Sequence, residues 1–249
     1  MIKYDYHIHT QYSYDSNIKA QDLMAKAILL GYKDIAITEH LDLLPQELSV
    51  YGLPSLKRYQ EYCLQLQRDY PELKVRMGIE IGDYHQVQSF AEELIREFDF
   101  CPILGSVHFL SDHTNVAIPL AAELDKDQIE DYYRQNLALV SSCKIDILAH
   151  LGVYKRYYSA PPDESHVAGL IDEIFRTIIA RGIALEINLS SLRKPYAKII
   201  PEAHLIGRYR ALGGKLISIG SDSHHIEHFA EIPHSVLEIS KYFLPPLLK

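Results

Sequence analysis

The chain of 249 residues contains no tryptophan and only three cysteines. Cys63, Cys101 and Cys143 are widely scattered and odd in number. They make neither a Cys-x-x-Cys pair nor a disulfide framework, which points to a reducing compartment and a cytoplasmic address. No run of lysine or arginine occurs, and the formal charge is −8. Electrostatically driven binding to nucleic acid or to an anionic membrane is therefore disfavoured. The N-terminus lacks the apolar core of a signal peptide, and no hydrophobic run reaches a membrane-spanning length. Linkers, internal repeats and low-complexity tracts are also missing, so residues 1–249 read as a single domain. Against these absences stand 13 histidines and 18 tyrosines. The histidine count alone decides nothing; position must.

Short apolar runs alternate with amphipathic stretches along the chain. The runs are IKYDYHI, DIAITEH, KVRMGIEIG, CPILGSVHF, KIDILAH, GIALEINLS and KLISIGSDSH. They are rich in β-branched residues, as strands buried on both faces should be. Helical spacing is predicted over 20–30, 56–70, 87–98, 127–141, 164–180, 202–212 and 225–242. Gly31, Gly182 and Gly213 fall just past three of these, where helix ends favour glycine. Strict strand–helix alternation implies parallel strands with right-handed crossovers. The reading is a seven-unit α/β barrel related to the TIM barrel; an open doubly wound sheet is the rival.

The polar residues collect at the C-terminal strand ends, the edge where parallel α/β folds build their chemistry. His7 and His9 in DYHIHTQYSYDS are two apart, so on a strand both imidazoles face one side. Glu39 and His40 end the second strand, Glu80 and Asp83 the third, His108 the fourth and His150 the fifth. Asn188 ends the sixth strand with an amide, and Asp222 and His224 end the seventh. Imidazole with carboxylate suits Zn, Mn or Fe, and the groups are too many for one tetrahedral ion. A multinuclear site suits phosphate-ester hydrolysis. Taken alone, His40 or His150 would be an ordinary hydrogen-bonded core histidine; the set taken together favours metal. His85, His113, His166, His204, His225, His228 and His234 fall in loops or helices and read as surface residues. Tyrosines within 154–158 read as rim or packing residues.

The ordered segments HIHTQYSYDS, ITEH, GIEIGDY, GSVHF, DILAHLG, EINLSSLRKP and GSDSH resemble the PHP (polymerase and histidinol phosphatase) superfamily, over residues 5 to 228. GSVHFL and EINLSSLRKP are similar to its histidinol-phosphatase branch. The resemblance implies a distorted seven-stranded barrel with a trinuclear metal centre. One ion would take His7, His9, Glu80 and Asp222. A second would share Glu80 and take His108 and His150. A third would take His40, His224 and Asp15, the last standing near a place where some relatives have histidine. Glu39 would orient an imidazole, with Asp5, Thr38 and Asp83 in similar supporting roles.

Three divalent ions bring about +6 and the three carboxylates return about −3, so a phosphomonoester dianion would be attracted to the mouth. The resemblance implies a metal-dependent phosphomonoesterase acting on L-histidinol phosphate in histidine biosynthesis, with hydroxide from a metal-acidified water as nucleophile. Catalytic roles fall to Glu80 and Asp222, with Arg193 and Arg156 as the phosphate clamp. Lys155 and Lys194 read as solvated surface cations. Asp42, Glu47 and Tyr51, or Asp83 and Tyr84, are placed to receive the substrate's amine and imidazole. The rival readings are a phosphoesterase acting on nucleotides or oligonucleotides, a nucleic-acid-associated PHP module, and a metal-free barrel. No nucleic-acid or membrane partner is expected.

Overall fold

The computed structural model describes residues 3–248. Seven strands make one sheet: β1 (Tyr4–Ile8), β2 (Asp34–Asp42), β3 (Lys74–Gly82), β4 (Ile103–Ser106), β5 (Ile147–Leu148), β6 (Ala184–Asn188) and β7 (Ile217–Gly220). Neighbours in the sheet follow chain order, and every pairing is parallel. The ring nearly closes between its first and last strands. Ile8 bridges Ser223, and the Asp222 amide donates to His7 O at 2.8 Å. A doubly wound sheet would reverse its strand order at an internal strand. Sequential order with β7 returning to β1 excludes that rival and leaves the seven-stranded barrel. Met1 and Ile2, at the start of the first predicted run, and Lys249 lie outside the described residues.

The helices among the described residues are α1 (Ala20–Leu29), α2 (Pro45–Tyr51), α3 (Leu56–Asp69), α4 (Gln88–Ile95), α5 (Lys126–Ser142), α6 (Ala168–Arg181), α7 (Ala203–Ala211) and α8 (His234–Ser240). The longer helices pack apolar stripes on the ring. Helix α1 buries Ala20, Leu23, Met24 and Ala27, and α6 buries Ile171, Ile174, Phe175 and Ile178, both at the three- and four-residue spacing of one helix face. Burying each isoleucine contributes about 1.5–3 kcal/mol. Helix α5 starts at a capping box: Asp125 accepts from the Gln128 amide at 2.9 Å, and the Gln128 side chain accepts from the Asp125 amide at 3.2 Å. Gly31, Gly182 and Gly213 have φ of +76°, +70° and +98° where the helices end, with open space around each α-carbon. Backbone angle, not crowding, selects glycine there.

Three elements differ from expectation. The predicted helix over 225–242 is divided into a short turn, Ile226–His228, and α8, which begins after Pro233. Proline lacks the N–H a helix interior needs and disfavours helical geometry at Ile232 before it. Helix α2, absent from the sequence reading, forms in the loop after β2 with Pro45 in its first turn. In KIDILAH only Ile147–Leu148 pairs as a regular strand, and two residues on His150 turns with φ +24°. No helix among the described residues is long and apolar enough to cross a membrane.

Candidate metal centre

Strand register sets the centre. β2 and β3 pair His40 with Glu80, and β3 and β4 pair Glu80 with Leu104, so Glu80 stands inside the ring. Its Oε1 is 2.9 Å from His150 Nε2 and 3.6 Å from His108 Nε2. Its Oε2 is 3.2 Å from His7 Nε2, 3.4 Å from His9 Nε2 and 3.2 Å from His40 Nδ1. Asp222 Oδ1 lies 3.7 Å from His9 Nε2, 3.9 Å from His7 Nε2 and 3.5 Å from His224 Nδ1. Asp15 Oδ2 lies 3.2 Å from His224 Nε2 and 3.6 Å from His40 Nε2. His7, His9, Asp15, His40, Glu80, His108, His150, Asp222 and His224 thus meet at one mouth, although 217 residues separate His7 from His224 in sequence (224 − 7).

Four overlapping groups bring their donor atoms within 4.8 Å of one another: His7, His9 and Glu80; Glu80, His108 and His150; His7, His150 and Asp222; and His9, His40 and His224. The last differs from the expected sharing. The His9 ring stacks against both His40 and His224, with centroid separations of 4.1 and 4.2 Å, and so stands beside two clusters. Asp15 falls outside these tight groups and its side chain is 40% exposed.

Two observations show that this donor set fits divalent ions. Glu80 Oε2, although buried among three imidazole nitrogens, has no hydrogen-bond partner. Leaving such a lone pair unused costs about 1–3 kcal/mol. In addition, His7 Nε2 and His9 Nε2 are 3.1 Å apart, close to the edge of about 3.3 Å expected for two nitrogens on one tetrahedral zinc. The ionisation of the cluster is mixed: burial opposes charge on His7, His40 and His108, yet the facing carboxylates raise all three. Burial opposes charge on Glu80, yet His7, His108 and His150 hold its carboxyl well below the ordinary range. Burial opposes charge on Asp222 too, and Arg156 and His7 hold it low. Burial, with the neighbouring His40 and His224, pushes His9 down toward its neutral form.

The PHP domain family model matches residues 5–190. The chain belongs to the PHP domain family. It is 30% identical over 235 residues to the histidinol-phosphatase of Bacillus subtilis, spanning 79% of this chain and 84% of that one. It is 29% identical over 232 residues to the Clostridium acetobutylicum protein named "Probable histidinol-phosphatase", spanning 89% and 86%. The solved histidinol phosphate phosphatase of Lactococcus lactis, complexed with zinc, L-histidinol and phosphate, superposes with a TM-score of 0.79 at 26% identity. That superposition covers 98% of this chain and 95% of the other. These relatives put the chain in the histidinol-phosphatase branch of the PHP family.

The supporting groups of this PHP site act mostly through intermediaries. Glu39 touches no imidazole. Its carboxylate accepts from the Thr10 amide at 3.1 Å, from the Thr10 hydroxyl, and from Ser13 Oγ at 2.5 Å. Ser13 Oγ in turn lies 3.2 Å from His9 Nδ1 and accepts from the His40 amide at 3.1 Å. Burial pushes the Glu39 carboxyl up to about 7. Asp5 accepts from the amides of His7 and Ser221 at 3.1 and 3.0 Å, and Thr38 accepts from the Ile8 amide at 3.1 Å. Asp83 holds the amides of His108 and Phe109 at 3.2 and 3.3 Å.

A cavity of ≈ 390 Å³ opens over the cluster. Tyr14, Glu47, Tyr51, Phe109 and Arg156 line it together with Asp15, His40, Glu80, His108, His150, Asp222 and His224. Tyr51 stacks on Tyr14 at 3.6 Å, and Asp42 accepts from the Tyr14 hydroxyl at 3.0 Å. Glu47 is buried with Oε2 unpartnered; desolvation, with the charge of Asp42, pushes its carboxyl up to about 8. Asp83 and Tyr84 are buried away from the cavity lining. Arg156 Nη2 donates to Asp222 Oδ2 at 2.6 Å, and its Nε is free of partners. Arg193, expected beside it, is absent from the lining; its Nη2 donates to the carbonyls of Ser221 and Asp222 at 2.8 and 3.3 Å.

Two sequence expectations need correction. Lys155 is no surface cation: it is fully buried and paired with Glu202 at 2.8 Å and Glu164 at 3.1 Å. Nor does strand six bring only an amide. Glu186, fully buried on β6, reaches His7 Nδ1 at 2.7 Å. The signal was available, since Glu186 and Asn188 are two apart on one strand and face the same way. Lys194 is half-buried, with Nζ 5.5 Å from the centre of the Tyr157 ring. Tyr154 and Tyr158 are buried packing residues. His113, His166, His204, His225 and His234 are exposed, while His85 and His228 are half-buried.

Proposed function

We propose that the protein is a metal-dependent phosphomonoesterase that hydrolyses L-histidinol phosphate to histidinol and phosphate, in the cytoplasm, on the way to histidine. The observation that carries the reading is the meeting of six imidazoles and three carboxylates around Glu80 at the mouth of the ring. It is supported by the likeness to a phosphatase structure holding zinc, L-histidinol and phosphate. Three divalent ions of the Zn, Mn or Fe type are proposed. His7, His9, Glu80 and Asp222 would hold one; Glu80, His108 and His150 a second; His40, His224 and Asp15 the third. The reading takes residues 1–249 as one PHP-type domain, since every named strand among the described residues joins one sheet. No disulfide joins Cys63, Cys101 or Cys143, which supports the cytoplasmic address.

Bound ions supply positive charge against the phosphate and acidify water. The chain's own groups do the rest. Arg156, anchored by Asp222 and carrying a free Nε, grips phosphate oxygens from the cavity wall. Arg193 donates to the Ser221 and Asp222 carbonyls and so holds that backbone in place. Asp222 sits at φ +49°, a costly conformation of the kind that accumulates at functional sites. Glu47 and the Tyr14–Tyr51 stack form the wall that receives the ammonium and imidazole of the substrate. The Glu47 carboxyl, raised to about 8, is an unpartnered buried acceptor, and an arriving ammonium would favour its ionised form and use its free lone pair.

The test joins metal analysis of gently purified protein with a substrate panel. The protein is expected to carry Zn, Mn or Fe and to prefer L-histidinol phosphate over p-nitrophenyl phosphate and nucleotides by about 100-fold or more in kcat/KM. Equal or better turnover of nucleotides overturns the substrate. Full activity in metal-free protein overturns the metal.

A further inference from the structure

We propose that Glu186 is a positioning residue that sets two metal-holding imidazoles at once, His7 through its ring and His150 through its backbone. The inference rests on the metal-dependent reading above and adds to it a residue outside the ligand set. Glu186 is fully buried on β6. Its Oε1 lies 2.7 Å from His7 Nδ1, while its Oε2 accepts from the His150 amide at 2.6 Å and from Asn188 Nδ2 at 3.1 Å. The carboxylate offers only acceptors, so His7 must carry its proton on Nδ1. That leaves the lone pair on Nε2, the nitrogen 3.2 Å from Glu80 and 3.1 Å from His9 Nε2. The other oxygen ties down His150 where its backbone turns at φ +24°, with His150 Nε2 2.9 Å from Glu80.

The space for this brace is kept open by its neighbour. A Cβ on Gly220 of β7 would fall 2.0 Å from Glu186 Oε1 and 2.5 Å from His7 Cβ. Gly220 does not have positive φ, so close approach is the reason for glycine here. A carboxylate behind a metal-bound imidazole fixes its tautomer and raises its basicity. Glu186 does so for one histidine and anchors a second from the same group.

Glu186→Gln is the discriminating variant because it keeps the shape and removes one acceptor. If the new amide faces His7, the ring must accept at Nδ1 and carry its proton on Nε2, which blocks the metal-facing nitrogen. If the amide faces His150, donor meets donor and the turn loses its tether. Metal-free wild-type and variant proteins are titrated with cobalt(II) and followed by visible absorption, with circular dichroism as the fold check. The variant is expected to bind about 10- to 100-fold more weakly, with an altered cobalt spectrum. Identical affinity and spectrum in a folded variant overturn the proposal. Should the variant fail to fold, nitrogen-15 correlation spectra of the zinc-loaded wild type decide. A His7 proton on Nδ1 supports the proposal, and one on Nε2 overturns it. Failure of the wild type itself to bind cobalt overturns both this proposal and the metal-dependent reading.

Discussion

Replacing Lys155 with methionine isolates the value of a buried charge at the back of the site. The ammonium is fully enclosed and bonds to Glu202 at 2.8 Å and Glu164 at 3.1 Å. Tyr196 donates to Glu202, and Tyr133 and Tyr154 donate to Glu164. Methionine fills most of the same volume, so little cavity opens; what remains is two carboxylates without their cation. Removing one partner of a buried pair costs about 3–5 kcal/mol. For a chain of this length that lowers Tm by about 6–20 °C. The pH dependence gives a second signature. Burial opposes charge on Glu202, but Lys155 holds its carboxyl below the ordinary 4.5. In the wild type this stabilisation is present above 4.5 and is lost as pH falls through the depressed folded value. Without Lys155, burial pushes Glu202 up instead. The variant's deficit is then greatest at neutral pH and narrows on acidification, as the carboxylates take protons. Urea unfolding at a series of pH values reads both effects. A deficit below about 1 kcal/mol, typical of an exposed pair, or one that does not change with pH, would refute the reasoning.

Other expectations concern the mouth. His9→Ala or Glu80→Ala should lower kcat by orders of magnitude while far-UV circular dichroism stays that of the wild type; near-normal turnover removes the residue from the ligand set. Arg156→Ala should raise KM for phosphomonoesters, and unchanged steady-state constants exclude it from phosphate binding. Glu47→Gln should weaken kcat/KM for L-histidinol phosphate by about 10- to 100-fold, the worth of a charged hydrogen bond of 1.5–3 kcal/mol, and spare p-nitrophenyl phosphate. Chelation should abolish activity and lower Tm, with both restored by Zn, Mn or Fe, because ions that bind only the folded state stabilise it.

The ring was legible because each strand carries its own signature. Runs such as DIAITEH and GIALEINLS are β-branched and end in chemistry-bearing residues, and helix spacing with terminal glycines marks the crossovers. The cluster was legible for the same reason: parallel strands deliver their C-terminal ends to one mouth. What escaped depended on contacts between distant parts of the chain. Ser13, 26 positions from Glu39, relays it to His9, a link that no local pattern encodes. Lys155 resembled a surface cation because its partners, Glu164 and Glu202, lie 9 and 47 residues away. Apolar spacing runs on through Pro233, but the proline divides the helix that this spacing predicts. Glu186, by contrast, is legible locally: alternation along β6 sets it on the same face as Asn188.

The join between β1 and β7 has a consequence for how the protein is born. A ribosome that has delivered β1 through β6 has already made His7, His9, Glu80, His108 and His150, but not Asp222 or His224. The ring is then open on the side where Ile8 will meet Ser223, and the Asp222 amide cannot yet bond to His7. Asp222 and His224 are therefore the last of the clustered groups to be made, and the groups that include them are complete only when β7 joins β1.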